Sequence, residues 1–98
     1  MIVMNLLWRG LTKDQYDRAC DRVGWETKAP EGGIVHVAWF AKEGLRVLDV
    51  WETAEHFNRF VETRLMPVVK GELDIPGEPE VDIQPAHRLY QVGIGARS

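Results

Sequence analysis

One stretch, residues 36–53 with the sequence HVAWFAKEGLRVLDVWET, constrains the fold more than any other part of the chain. Two apolar runs flank residues 42–45, and Thr53, a residue type that caps helices, follows at once. Apolar runs of this length on either side of a short glycine-containing segment are typical of a β-hairpin. A hairpin that leads directly into a helix indicates the middle of a β-α-β-β-α-β order.

The remaining segments fit that order. Residues 2–8 form a short apolar run that predicts a buried first strand. Thr12 and Gln15 have the spacing of a capping box at the start of a first helix. The second helix is expected to kink or end at Pro67, because proline lacks the backbone donor. Residues 80–86 alternate polar and apolar and predict a fourth strand, so we expect an α+β, ferredoxin-like domain with an antiparallel sheet and both helices on one face.

Length and composition exclude several classes of protein. Ninety-eight residues make one domain, here residues 1–98, with an expected core over residues 1–88 and a C-terminal tail over residues 89–98. A net charge of −3 without a basic patch argues against nucleic acid, and no apolar run is long enough to cross a membrane. The one cysteine, Cys20, has no internal disulfide partner, and no metal-ligand spacing is present. We therefore expect a cytoplasmic protein without a metal.

The register of the hairpin determines which side chains share a face of the sheet. We take Glu43-Gly44 as the turn, with Lys42 opposite Leu45. One face then mixes polar and apolar side chains in three opposed pairs: Phe40 with Val47, Ala38 with Asp49, and His36 with Trp51. The other face is wholly apolar and is expected to pack under the helices: Val37, Trp39, Leu48 and Val50. In the first strand, Ile2, Met4, Leu6 and Trp8 are expected to face the helices, and Asn5 to share the mixed face.

The mixed face is the candidate site, since such a face meets a partner or encloses a ligand. His36 is the candidate general base, Asp49 would orient it, and Asn5 could donate to a developing oxyanion. Three further residues are candidate substrate contacts: Trp51, Phe40 and His87. The alternative is that His36 and Asp49 are hydrogen-bonded polar residues in a subunit contact and that Trp51 serves packing.

The segment Val50-Trp51-Glu52-Thr53, followed by a helix with spaced aromatic residues, resembles the dimeric α+β barrel superfamily. It is similar in particular to antibiotic-biosynthesis-monooxygenase-like (ABM-like) domains, and the resemblance covers residues 1–88. The resemblance implies a homodimer in which the helix-free sheet faces of two subunits meet to form a barrel. Members of this superfamily include cofactor-free oxygenases of aromatic polyketides and haem-degrading enzymes.

The haem-degrading branch matches poorly, because Phe60 and Lys70 stand where that branch has Trp and His, and Asn5 alone fits. We therefore expect no cofactor. Two classes of function stay open at this point. One is a cofactor-independent monooxygenase or related enzyme acting on an apolar or aromatic metabolite in the barrel cavity. The other is a non-catalytic dimer that binds a small ligand or has a structural role.

Overall fold

The computed structural model describes residues 1–92, so residues 93–98 of the expected tail lie outside the described residues. The elements follow the expected order: β1 (Ile2–Arg9), α1 (Lys13–Val23), β2 (Gly33–Ala41), β3 (Gly44–Trp51), α2 (Ala54–Phe60), two π-helical segments (Val61–Leu65 and Pro67–Glu72) and β4 (Glu80–Pro85). The capping box of Thr12 and Gln15 is present at the start of α1. Among the described residues, no helix is long and apolar enough to cross a membrane.

The four strands form one antiparallel sheet in the order β2-β3-β1-β4. Side chains from α1, α2 and the second π-helical segment pack into one core cluster with the sheet, among them Ala19, Phe57, Phe60 and Val69. The expected α+β, ferredoxin-like fold with its helices on one face is therefore confirmed.

The hairpin turn between β2 and β3 consists of Lys42 and Glu43, and Ala41 pairs with Gly44. The predicted turn, Glu43-Gly44, is wrong by one position. Gly44 has a φ of +145°, and a Cβ on it would lie 2.3 Å from the carbonyl oxygen of Trp8. A glycine is therefore required at the start of β3, where β1 passes closely, and is not used as a turn residue.

The displacement of the two-residue turn by one position moves every predicted pair by two residues. His36 lies opposite Asp49 instead of Trp51, and Phe40 lies opposite Leu45. Because side chains alternate along a strand, a shift of two leaves each of them on its predicted face. His36 and Asp49 are consequently on the same face of the sheet, as predicted, and are direct cross-strand neighbours.

The mixed face of the hairpin is the one that the helices cover, so the predicted placement of the two faces is inverted. Val47, Asp49 and Trp51 are buried on the helix side. On the opposite side, Val37 and Trp39 are 48% and 44% exposed. The sequence argument assumed that polar groups would avoid the core, whereas the polar atoms of this face are hydrogen-bonded to one another.

Strand β1 was assigned correctly to the helices at Met4, Leu6 and Trp8, all of which are buried in the core. Asn5, however, pairs with Leu48 and Asp82 and lies on the open face, opposite to His36. The residue of β1 that aligns with Asp49 is Met4. The prediction that Asn5 shares the mixed face is therefore wrong.

The second helix continues beyond Pro67. From Val61 onward its hydrogen bonds span five residues, for example from the Met66 amide to the Val61 carbonyl. Pro67 occupies the first position of the second π-helical segment. The predicted kink or end is thus replaced by a local widening of the helix.

The link between the second π-helical segment and β4 is fastened to the side chain of Trp8. The Trp8 indole nitrogen donates to the Pro76 carbonyl across 3.1 Å. Lys70 donates to the carbonyls of Ile75, at 2.9 Å, and Gly77, and its ammonium lies 5.5 Å from the Trp8 ring centroid. These contacts place the chain beside β1 before β4 begins.

Candidate functional site

A cavity of about 90 Å³ lies between the sheet and the helices, beneath α1 and α2. Its walls are mostly apolar: Met4, Leu6, Trp8, Tyr16, Ala19, Cys20, Val23, Trp25, His36, Leu45, Val47, Asp49, Phe57, Phe60, Leu65 and Val69. The polar side chains in this lining come mainly from one place, the paired residues His36 and Asp49 with Tyr16 above them. This combination of an apolar enclosure and a few converging polar groups is typical of small-molecule sites.

Asp49 is the buried anchor of the polar group. It is 4% exposed, and both of its carboxylate oxygens accept a hydrogen bond. His36 Nδ1 lies 2.7 Å from Oδ1, and the Trp51 indole nitrogen donates to Oδ2 across 3.1 Å. Since an ionised carboxylate only accepts, His36 carries its proton on Nδ1 and leaves Nε2 as an acceptor when the ring is neutral.

Tyr16 completes the chain from α1. Its hydroxyl oxygen lies 2.7 Å from His36 Nε2. Burial, the main cause, raises the pKa of Tyr16 well above its usual value, so the phenol stays protonated at neutral pH. With a neutral His36 ring, Tyr16 therefore donates to His36, His36 donates to Asp49, and Trp51 donates to the same carboxylate.

Aromatic rings surround this chain. Trp25 lies 4.8 Å from the His36 ring, centroid to centroid, and packs edge-on against Trp51 and Phe60 at 5.6 Å each. Trp25 follows the αL cap of α1 at Gly24, in a segment that we predicted only as a loop. No periodicity marks a loop residue as a wall of a site, and sequence reasoning missed Trp25 for that reason.

The sequence pattern of α1 does not place the Tyr16 hydroxyl near His36, because that contact depends on how α1 packs on the sheet. Cys20 lies one turn further along α1, is half-buried with a free thiol, and lines the cavity. Burial raises the pKa of the Cys20 thiol, which keeps the thiol protonated at neutral pH.

A second depression of about 210 Å³ lies outside the cavity and shares part of its wall. Four residues line both spaces: Tyr16, Cys20, Trp25 and His36. The outer depression also has polar and acidic walls, including Asp21, Glu26 and Thr27. The Tyr16–His36 hydrogen bond thus lies between an outer depression with polar walls and an inner cavity with mostly apolar walls.

Two predicted substrate contacts lie near the cavity without lining it. Trp51 is 0% exposed and packs between Trp25, Phe57 and Phe60, which matches the packing alternative for this residue. Phe40 packs edge-on against Tyr16, with the ring centroids 6.1 Å apart. Both residues pack against rings that line the cavity.

The other two predicted site residues lie elsewhere. Asn5 is on the open face of the sheet and lines a shallow surface depression with Arg9, Arg46 and Asp82. His87 is exposed and follows β4, which is three strands from β2 and thus about 14 Å away across the sheet. Neither residue joins His36 and Asp49, because Asn5 lies on the opposite face of the sheet and His87 follows the edge strand that is farthest from β2.

The described residues contain no group of three or more His, Cys, Asp and Glu side chains able to hold a metal ion. What the arrangement offers chemically is one imidazole, backed by a buried carboxylate, at the wall of an apolar space. A histidine held in this way can accept a proton from a bound hydroxyl or acidic C–H group, since the carboxylate stabilises the imidazolium that forms.

Comparison with known proteins finds likeness in structure only. No family model matches the sequence, and no curated protein matches it. A candidate antibiotic biosynthesis monooxygenase from Deinococcus radiodurans superposes with a TM-score of 0.64 at 8% identity, covering 97% of this chain and 100% of that one. SnoaB, a cofactor-independent oxygenase from Streptomyces nogalater, gives 0.61 at 13% identity, covering 90% and 93%. A conserved protein from Methanosarcina mazei gives 0.59 at 15%, covering 87% and 92%.

The chain accordingly has the ABM-like fold, and the resemblance seen in the sequence is confirmed at the level of the fold. Identities this low carry no residue-level role from those proteins to this one. The roles of His36 and Asp49 must be argued from the geometry of this chain.

Proposed function

We propose that this protein is a small cofactor-independent monooxygenase, or a related enzyme, that acts on an aromatic compound with an acidic hydroxyl or C–H group. The observation that carries the proposal is the His36–Asp49 pair at the wall of an otherwise apolar cavity. His36 Nε2 would take the proton, and Asp49 would hold the ring in the required tautomer. Likeness in fold to SnoaB supports this class of reaction.

The chemistry needs no added reductant. Loss of a proton from a phenol or a 1,3-dicarbonyl compound gives an electron-rich anion that reacts with O₂. When a CH₂ group becomes C=O, one oxygen atom enters the product and the other leaves as water with the two hydrogens. The substrate itself supplies the electrons, and the protein supplies the base and an apolar enclosure.

The site proposed here differs from the one expected in the sequence. The cavity lies between the sheet and the helices of one chain, and not between the sheet faces of two chains. The proposed catalytic group is accordingly His36 with Asp49, both from one protomer. Asn5 and His87 have no part in it, because they lie on the open face and beyond the far edge strand.

Oxygen uptake with a panel of single-ring phenols and 1,3-dicarbonyl compounds tests the proposal. We expect the protein to consume O₂ with at least one compound of the panel. The variant His36→Ala should lower kcat/KM for that compound by about 100-fold or more, the usual contribution of a general base. His87→Ala is the matched control, since this histidine is exposed and remote from the cavity. Equal losses in both variants, or turnover that survives His36→Ala, would overturn the assignment.

The second candidate function is a non-catalytic homodimer, and the open face of the sheet favours it. Val37 and Trp39 are 48% and 44% exposed there. We propose that a second copy of the chain covers this face, as the fold resemblance implies. A homodimer could also be an enzyme, so dimerisation alone does not distinguish the two functions. A dimer that shows neither turnover nor ligand binding would support the non-catalytic function.

Sedimentation equilibrium tests the homodimer. The wild-type protein is expected to dimerise, and Trp39→Ser should weaken the dimer by at least about tenfold, because buried aromatic residues dominate interface energies. Tyr90→Ser is the control, since Tyr90 is 81% exposed and outside the sheet. A wild-type monomer at high protein concentration would contradict the proposed interface.

A further inference from the structure

We infer that the Tyr16 side chain occupies the position where a ligand binds. Its hydroxyl is hydrogen-bonded to Nε2 of His36, the ring nitrogen that Asp49 does not use, and a ligand hydroxyl binds by replacing it. This inference rests on the proposed function, since it concerns the same cavity. It makes Tyr16 a competitor of every ligand, and the His36 Nε2 that it vacates favours ligands that bring a hydrogen-bond donor of their own.

The first argument is the state of His36. Nδ1 is committed to Asp49 at 2.7 Å, and Nε2 is taken by the Tyr16 hydroxyl at the same distance. A substrate proton can reach the base only through Nε2. As long as Tyr16 donates to that nitrogen, the site is chemically closed to a ligand.

The second argument is the size of the empty space. The inner cavity has about 90 Å³, whereas an engineered apolar cavity that binds benzene has about 150 Å³. One aromatic ring therefore does not fit while Tyr16 stays where it is. Rotation of the Tyr16 side chain would join the cavity to the outer depression of about 210 Å³, because Tyr16 lines both.

The third argument is that the protein encloses Tyr16 only in part. It is half-buried and stands at the mouth of the outer depression. Of the residues in α1, Ala19 is the one that is fully buried, so the helix is held to the sheet by partly exposed side chains. Phe40, which packs edge-on against the Tyr16 ring, is itself half-buried.

The geometry also indicates what the ligand looks like. The part that enters has a flat ring with a hydroxyl, as Tyr16 itself has, and stands beside His36 and Trp25. A phenol reproduces the Tyr16 hydrogen bond and recovers the acceptor that would otherwise be left unpaired. An aromatic compound without a donor would leave His36 Nε2 unsatisfied and is expected to bind more weakly.

The test compares phenol with toluene, which differ in the hydroxyl, by isothermal titration calorimetry on wild-type protein and Tyr16→Phe. We expect Tyr16→Phe to bind phenol about five- to tenfold more tightly than wild type, because the competing internal donor is gone. Toluene affinity should rise by a similar factor, because toluene must also displace the Tyr16 hydroxyl, while phenol stays the tighter ligand in both proteins. Tyr90→Phe, which alters the other tyrosine, is the control and should bind both compounds as wild type does.

The outcomes separate this inference from the proposed function. Phenol binding that is unchanged or weaker in Tyr16→Phe, while His36→Ala still abolishes the preference for phenol, would overturn the inference alone. In that case Tyr16 helps to hold the ligand. If neither compound binds either protein, both the inference and the proposed function fail. Circular dichroism and thermal melts of each variant show that the compared proteins are folded.

Discussion

Asp49 and Trp51 lie two positions apart on one strand, and the indole nitrogen of Trp51 donates to the carboxylate of Asp49 across 3.1 Å. Residues at this spacing share a face of the sheet, so the strand itself supplies a buried acid and the donor that satisfies it. The second oxygen of the acid remains for His36 on the neighbouring strand. Strand β3 therefore supplies both the carboxylate that orients the candidate base and the donor that satisfies this carboxylate.

Asp49→Asn should destabilise the protein by about 2–3 kcal/mol, because two charge-assisted hydrogen bonds are lost and an amide group faces a donor. Urea unfolding measures the change. Asp82→Asn is the matched control, since Asp82 is exposed on β4 and should shift stability by less than about 0.5 kcal/mol. A cost for Asp49→Asn no larger than that of the control would contradict the network.

Gly44→Ala should destabilise the protein by more than about 2 kcal/mol, because the new methyl group would meet the Trp8 carbonyl in a backbone conformation that suits glycine. Gly71→Ala is the natural comparison. A Cβ at Gly71 meets nothing within 4 Å, and the residue is helical, so this change should be neutral or stabilising by up to about 1 kcal/mol. Thermal melts of the pair measure both effects, and equal melting temperatures would contradict the close strand approach.

Stability should fall as the pH rises above about 10, the usual pKa of tyrosine. Burial raises the pKa of Tyr16 in the folded protein. Above the unfolded value, the unfolded chain loses this proton while the folded protein keeps it, so unfolding is favoured progressively as the pH rises. Urea midpoints measured from neutral pH upward give the slope.

Tyr16→Phe should flatten that alkaline slope, whereas Tyr90→Phe should leave it unchanged. Cys20, whose pKa is also raised by burial, contributes with the same sign, so both variants belong in a Cys20→Ala background. An alkaline slope that is identical with and without the Tyr16 hydroxyl would show that this phenol ionises as easily in the folded protein as in the unfolded one.

The sequence predicted the order of the elements and the placement of His36 and Asp49 on one face, because apolar alternation and capping residues are local properties. It could not predict which face the helices would cover. Both faces of β1, β2 and β3 are rich in apolar residues, so the alternation gives no preferred side. The polar face can be buried because its polar side chains satisfy one another's hydrogen bonds: Asp49, His36, Trp51 and Tyr16. These contacts depend on the three-dimensional packing and cannot be read from the sequence.

The same limit explains the misplaced site residues. Asn5 and Met4 are neighbours in β1 and point to opposite faces of the sheet. The prediction placed Asn5 on the face of Asp49, where the structure has Met4. His87 depends on where an edge strand ends, and β4 has a weak apolar pattern. Trp25 and Tyr16 reach the site from a loop and a helix, whose approach to the sheet is a tertiary property.

The anchoring of the link around Trp8 has a consequence for local opening. β4 pairs with β1 on one side, and its six residues are exposed except for the half-buried Ile83, so few apolar contacts hold the strand. Its amide hydrogens should exchange earlier than those of β1 and β3. The region of early amide exchange should nonetheless end at Ile75, because the Lys70 and Trp8 contacts hold the link there. Strand β4 would then open as a flap about this fixed hinge.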